Sequence, residues 1–285
     1  MGKIPESELI LNRDGSVYHL NLLPKHLSDT IIAVGDPSRV YKVSQYFDSL
    51  EFEMNRREFI THIGKYRGKR ITVISTGMGT DNIEIFLTEL DALANIDLKK
   101  REVKERKRKL KVIRIGTSGA LQEDLPLGTH LLSDFAIGMD TLMTFYDLPQ
   151  EPLELEIGNK LQCDIGLPFR PYVVQGSRML MEKLGEGMVK GNTVTCPGFY
   201  APQGREVRLA LKYPKLLEKL YCFNHGGIWL TNFEMETAGY YAMARLMGHE
   251  IISANAIIAN RVKNKFSKNP GKIVDALIRK VLDLV

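Results

Sequence analysis

The chain lacks most of the features that mark a secreted, membrane-bound or nucleoside-triphosphate-binding protein. It has only three cysteines, Cys163, Cys196 and Cys222, in 285 residues. Three widely spaced thiols make neither a CxxC metal pair nor an even disulfide framework, and they suit a reducing compartment. The opening stretch MGKIPESELI carries no apolar signal region, and Glu6 breaks the myristoylation pattern that Gly2 begins. No apolar run is long enough to span a bilayer. A cytoplasmic location is therefore expected. There is no Walker GxxxxGK[ST] loop and no GxGxxG after a strand, which argues against a nucleotide kinase or an NAD enzyme. No Pro/Gly/Ser-rich linker and no internal repeat divide the chain, so one domain over residues 1–285 is expected.

What is present is the balance of a globular protein. Hydrophobic residues make up 44% and charged residues 26%, enough apolar material for a substantial core. The net charge of +5 is modest, and much of the excess lies in one run, Lys99 to Lys111. That run, KKREVKERKRKLK, contains no aromatic residue to stack a base, so a solvated connector is a better reading than a nucleic-acid or membrane site.

Hydrophobic periodicity places a short buried strand at Thr30–Val34, ending at Gly35-Asp36-Pro37, with Pro37 in the first turn of a helix. Residues 57–76 have the pattern of a hairpin turning at Arg67-Gly68-Lys69. Gly77-Met78-Gly79 opens a helix from about 82 to 96, with Ile83, Phe86, Leu87 and Leu90 on one face. Further strands are expected at Lys111–Ile115, His130–Ala136, Met188–Thr195 and Glu250–Ala259. Helices are expected near 178–185, 205–212, 236–248 and 272–284. This alternation implies an α/β fold, a three-layer α/β/α sandwich around a mixed, mostly parallel sheet. Such folds bind ligands where strands end in loops, here 35–39, 76–80 and 114–119.

Two of those loops carry an arginine beside glycines. Arg39 follows the Gly35-Asp36-Pro37 turn, and Arg114 precedes Gly116-Thr117-Ser118-Gly119. Glycines allow backbone N–H groups close to an anion, Thr117 adds a hydroxyl, and guanidinium forks match phosphate oxygens. Either loop alone is equally an ordinary turn with a surface arginine. Arg114 differs, because a charge inside an apolar strand needs a partner when buried.

Taken in order, eight segments resemble the nucleoside phosphorylases of the uridine phosphorylase type. They are His19-Leu20-Asn21-Leu22, Gly35-Asp36-Pro37-Ser38-Arg39, Arg57-Glu58-Phe59, Ser75-Thr76-Gly77-Met78-Gly79 and Arg114-Ile115-Gly116-Thr117-Ser118-Gly119. The series continues with Phe199-Tyr200-Ala201-Pro202-Gln203-Gly204-Arg205, Phe233-Glu234-Met235-Glu236 and Asn260-Arg261. Singly they are weak signals; their order makes them specific.

The resemblance implies that Gly35, Arg39, Arg114 and Thr117 hold phosphate. It implies further that Arg57 reaches the phosphate of a neighbouring subunit and His19 the 5′-hydroxyl of that neighbour's nucleoside. The working unit would then be a homo-oligomer, at least a dimer, with a hexamer also compatible. Met235 and Glu236 match the ribose contacts, where a carboxylate helps as the sugar gains oxocarbenium character. Without the other motifs, Glu234 and Glu236 read equally as acids favoured at a helix start. Phe199, Gln203 and Arg205 match the base contacts. A glutamine amide can pair with one carbonyl and the ring N–H of uracil, and arginine with the other carbonyl. Cytosine would put an amino group against the arginine, a mismatch that a polar site rejects on the order of 10⁴-fold. Phe199 would wall the base.

Purine-cleaving relatives place an aspartate near the last strand, where this chain reads Ala259-Asn260-Arg261. The resemblance therefore implies a cofactor-independent, metal-free enzyme that cleaves uridine with inorganic phosphate to give uracil and ribose 1-phosphate. The residues expected to carry the chemistry are Arg114, Glu236, Arg205 and Gln203. Thymidine and deoxyuridine stay open as substrates. Thr80-Asp81-Asn82 departs from the Pro-Ser pair usual after Gly79, and residues 137–175 match no motif. The rival readings are a purine phosphorylase or water-using nucleosidase of the same fold, and a non-catalytic nucleoside- or nucleic-acid-binding relative.

Overall fold

The computed structural model describes residues 2–285. The apolar run Thr30–Val34 forms β1, and the helix behind it, α1 (Pro37–Ser44), starts with Pro37 in its first turn. Asp36 caps that helix, its carboxylate accepting from the Ser38 amide at 2.9 Å and the Ser38 hydroxyl at 2.8 Å. The hairpin expected over 57–76 is a three-strand meander: β2 (Ser49–Arg56), β3 (Phe59–Tyr66) and β4 (Lys69–Ser75). β2 is an exposed edge strand whose exposed residues, Leu50 apart, are charged or polar. That composition blunts an edge against pairing with other chains.

The chain continues through α2 (Thr80–Asn95), β5 (Lys111–Ala120), β6 (His130–Gly138), α3 (Pro152–Ile165), β7 (Tyr172–Gln175), α4 (Arg178–Leu184) and β8 (Val189–Thr195). It ends with α5 (Leu216–Cys222), β9 (Asn232–Glu234), α6 (Thr237–Met247), β10 (Glu250–Asn260), β11 (Lys265–Phe266) and α7 (Pro270–Leu284). Two departures from expectation stand out. Residues 205–212 are an exposed loop, not a helix, and the helix begins at Leu216, beyond Pro214. Within 137–175, Pro152 opens a well-formed helix on which Glu154 accepts from the Glu151 amide at 2.8 Å.

All eleven of these strands join one mixed sheet. Its centre is parallel, with β1 between β4 and β5, and β10 along the other side of β5. The flanks are antiparallel, at β2–β3, β3–β4, β6–β7 and β10–β11. The sheet also closes on itself. β10 pairs with β6, β6 with β8, β8 with β9, and β9 returns to β5 at Gly119 and Ala120. A five-strand ring thus shares β5 with the open part of the sheet. Helices α2 and α6 pack on each other, while α1, α4 and α7 cluster apart from them. α7 buries a stripe, Val274, Leu277, Ile278, Val281 and Leu282, at the three- and four-residue spacing of one helix face. A second apolar core under α3 and α5 is built by Ile157, Leu161, Leu216, Leu220 and Phe223. No helix among the described residues is long and apolar enough to cross a membrane.

Candidate active site

The ends of β1, β4 and β5 bring their loops together around one cavity of about 590 Å³. Gly35, Arg39, Arg114, Thr117, Phe199, Gln203, Arg205, Met235 and Glu236 all line it. Nine positions picked from motifs scattered over two hundred residues therefore share one space. His19 and Arg57 do not line it. They lie together elsewhere, the Arg57 guanidinium 5.6 Å from the ring centre of Tyr18, and the Tyr18 ring edge-on to His19 at 4.9 Å.

At the inner end, Arg114 is buried between two carboxylates. Its Nη2 donates to Glu236 Oε2 at 2.5 Å and pairs with Glu234 Oε2 at 2.8 Å. Its Nη1 donates to Asn255 Oδ1 at 3.0 Å and Ser253 Oγ at 3.2 Å. The side chain reaches these partners by folding back over its own strand. A methyl group at Gly116 would sit 1.9 Å from Nη1, so only glycine allows that path. Burial alone would make the guanidinium easier to deprotonate, but Glu234 and Glu236 outweigh it and hold the cation firmly.

The two carboxylates are held differently. Glu234 closes the start of α6, accepting from the amides of Glu236 at 2.9 Å and Thr237 at 3.0 Å, and from the Thr195 hydroxyl at 2.7 Å. Glu236 accepts from the Gly79 amide at 2.9 Å. Gly79 has φ +96°, a left-handed conformation that turns this N–H inward. Burial raises the Glu236 carboxyl above the usual carboxylate range; Arg114 opposes that shift and Glu234 adds to it. Arg39 donates from Nη1 to the Ile115 carbonyl at 3.1 Å. Burial lowers its pKa and Arg114 lowers it further, against the opposing charge of Asp36.

At the outer end, Arg205 Nη1 donates to Gln203 Oε1 and to the Phe199 carbonyl, each at 2.5 Å. The guanidinium stacks on Phe199 with Cζ 3.8 Å from the ring centre. Burial, with Arg261 nearby, pulls the Arg205 pKa down to about 10. Arg261 braces the same loop, donating to the carbonyls of Gln203 at 3.0 Å and Gly204 at 3.4 Å. Asn260 faces away. Its amide donates to the carbonyls of Gln122 at 2.9 Å and Leu125 at 3.1 Å.

Sequence reasoning missed several lining residues: Glu58, Met78, Phe233, Ile258, Ala259 and Phe266. Phe199 is half exposed and gives a ring face to Arg205, so much of the apolar wall comes from buried Phe233 instead. Phe233 sat inside a recognised motif, and its alternation with Glu234 along β9 was the available signal. Among the described residues no group of His, Cys, Asp and Glu could hold a metal ion.

Fold and cavity together define an α/β protein with a candidate ligand site at the ends of its central parallel strands. The model of the Phosphorylase superfamily matches residues 29–281, and the chain belongs to that family. It is 28% identical to a uridine phosphorylase of Thermococcus kodakarensis over 93% of this chain and 85% of that protein. Identity to a uridine phosphorylase of Haemophilus influenzae is 26%, over 87% and 88%. Identity to a DeoD-type purine nucleoside phosphorylase of Colwellia psychrerythraea is 25%, over 82% and 83%. Among solved structures, a Trypanosoma brucei nucleoside phosphorylase described as showing uridine phosphorylase activity matches with a TM-score of 0.88. That match has 28% identity and covers 97% of this chain and all of the other.

Proposed function

We propose that the protein is a uridine phosphorylase, transferring ribose from uridine to inorganic phosphate. The observation that carries this reading is the bond between Arg205 and Gln203. An amide oxygen accepts two hydrogen bonds, and Arg205 takes one of them. The other lone pair can accept the N3–H of uracil while the Gln203 amide donates to O2. Arg205 keeps further N–H groups for O4. The carbonyl–N–H–carbonyl edge of uracil is thereby complemented at every position. Departing uracil carries negative charge, which the same donors stabilise, so no general acid is needed at Asn260.

The inner end suits sugar and phosphate. Each Glu236 oxygen accepts one protein hydrogen bond, to Arg114 or Gly79, so one lone pair on each remains for the ribose hydroxyls. Negative charge held against the sugar favours the oxocarbenium-like transition state over the ground state. Arg39, Thr117 and the backbone of Gly35 supply the phosphate end. Three Nη hydrogen bonds of Arg114 go to Ser253, Asn255 and Glu236, and Glu234 is in ion-pair contact, so phosphate competes for this residue with the two carboxylates. An additional cation from outside the cavity fits that need, and Arg57 of a second subunit is the candidate. Phosphate is the nucleophile, with no metal or organic cofactor, in a cytoplasmic homo-oligomer.

The test is uracil release from uridine by the purified protein, with and without phosphate and with inosine in parallel. Phosphate-dependent release from uridine, with inosine untouched, is expected. Release without phosphate would overturn the anion assignment, and cleavage of inosine the assignment of Gln203 and Arg205.

A further inference from the structure

His19 is held by a group that neither the motifs nor the cavity singled out. Glu89, on α2, is buried, and no lysine or arginine pairs with it; its ionic partner is His19. Its carboxylate serves the arm instead. Oε1 lies 2.7 Å from His19 Nδ1 and accepts from the His19 amide at 2.9 Å. Oε2 accepts from the same amide at 3.0 Å and from the Leu20 amide at 2.8 Å. A buried carboxylate without a cation is costly unless hydrogen bonds replace its water. Here every replacement comes from one two-residue stretch of the N-terminal arm.

We propose that Glu89 is the positioning residue that presents His19 to the 5′-hydroxyl of the nucleoside bound by a second copy of this chain. The proposal rests on the shared-site reading above. A carboxylate can only accept, so Nδ1 is the donor to Glu89 and Nε2 is left free to meet a hydroxyl group. With Nδ1 as the donor, Nε2 can accept a hydrogen bond from that hydroxyl. The hydrogen bonds from the two backbone amides fix the turn that aims the ring, and Tyr18 against its edge limits rotation. Because Arg57 lies over that same Tyr18, phosphate and 5′-hydroxyl ligands are offered from one patch. α2 links both halves of the design. Its N-terminus follows Gly79, which holds Glu236, and Glu89 lies about 14 Å further along the helix at 1.5 Å per residue.

The experiment compares uridine with 5′-deoxyuridine, which lacks only the hydroxyl in question. In Glu89→Gln the amide places donors against donors, and the ratio of kcat/KM for uridine to that for 5′-deoxyuridine should fall about tenfold. A purely structural role would lower both substrates together and leave the ratio unchanged, which would overturn the proposal. His19→Ala, run in parallel, should lower the same ratio. A lowered ratio in His19→Ala with an unchanged one in Glu89→Gln would remove Glu89 and keep the shared site. An unchanged ratio in His19→Ala would remove the shared-site reading itself. Should Glu89→Gln not fold, Glu89→Asp keeps the charge but shortens the reach by one carbon. The same selective fall is expected of it, and an equal loss on both substrates would sink the idea.

Discussion

Arg114 shows how one residue sets the electrostatics of the site. It stands between two buried carboxylates, so removing it leaves both without a cation. Arg114→Met should destabilise the protein by about 3–5 kcal/mol at neutral pH, the cost of breaking a buried ion network from one side. The deficit should depend on pH in a definite direction. Burial raises the folded-state pKa of Glu236, so its contribution to stability is fullest below the ordinary carboxyl range. It is lost as pH rises through the shifted value. In the variant, which lacks the opposing cation, that shift grows, so the gap to the parent should narrow on acidification. Urea unfolding of both proteins at neutral and mildly acidic pH measures it, and a gap that widened in acid would contradict the account.

Among the secondary elements, the connector over 99–111 has a use that its composition concealed. Arg101 donates from Nε to the Ile4 carbonyl at 2.9 Å and from Nη2 to the carbonyls of Pro5, at 3.0 Å, and Leu9. Lys104 caps the Ala94 carbonyl at 2.9 Å, Arg108 pairs with Asp29 at 2.6 Å and Lys109 with Glu250 at 3.0 Å. Much of the basic run is thus a clamp on the arm and on neighbouring element ends. Arg101→Ala should free residues 4–9 while leaving the sheet intact. Chymotrypsin should then cut the first twenty residues roughly tenfold faster, as expected of a locally opened segment. An unchanged cleavage rate would mean that the arm is held elsewhere. Such a clamp was not legible in the sequence, because a charge run records solvation and not which carbonyls it meets. The buried strands were legible, since Thr30–Val34 and Glu250–Asn260 are nearly continuous apolar runs bounded by turns. The stretch 205–212 is a loop in which Val207 and Leu209, two apart and so on no common helix face, stay largely exposed. The helix at Pro152–Ile165 was not anticipated, although Pro152 in its first turn and Glu154 three residues after Glu151 are its start signals. Nine of the expected site positions share the candidate cavity. Its residues cluster in short glycine-rich turns, whereas Glu58, Ala259 and Phe266 reach the cavity only through tertiary packing.

For the whole molecule, the question is whether one chain completes its own site. His19 and Arg57 do not line the cavity that the other motif residues share, which is what exchange between subunits requires. Arg57→Ala and Arg205→Ala would then damage opposite sides of an interface. Mixed oligomers would contain sites with a native Arg205 from one chain and a native Arg57 from the other. Mixing two nearly inactive variants should restore about a quarter to a half of parental activity per site pair, an order-of-magnitude expectation for paired isologous sites. Titration of one variant against the other checks it, and no recovery despite proven subunit exchange would argue for self-contained sites.

The ring of strands has a consequence for how the protein is made. β10, late in the chain, inserts between β5 and β6, which are made more than a hundred residues earlier. Until the ribosome has delivered residues 250–260, the strand that carries Arg114 has one open flank, and the ring has a gap. A nascent chain of this design must therefore wait, with apolar strand edges exposed, for its own last large strand. The candidate site is closed only once that strand is seated, and a chain lacking residues 250–260 keeps an unpaired flank beside Arg114.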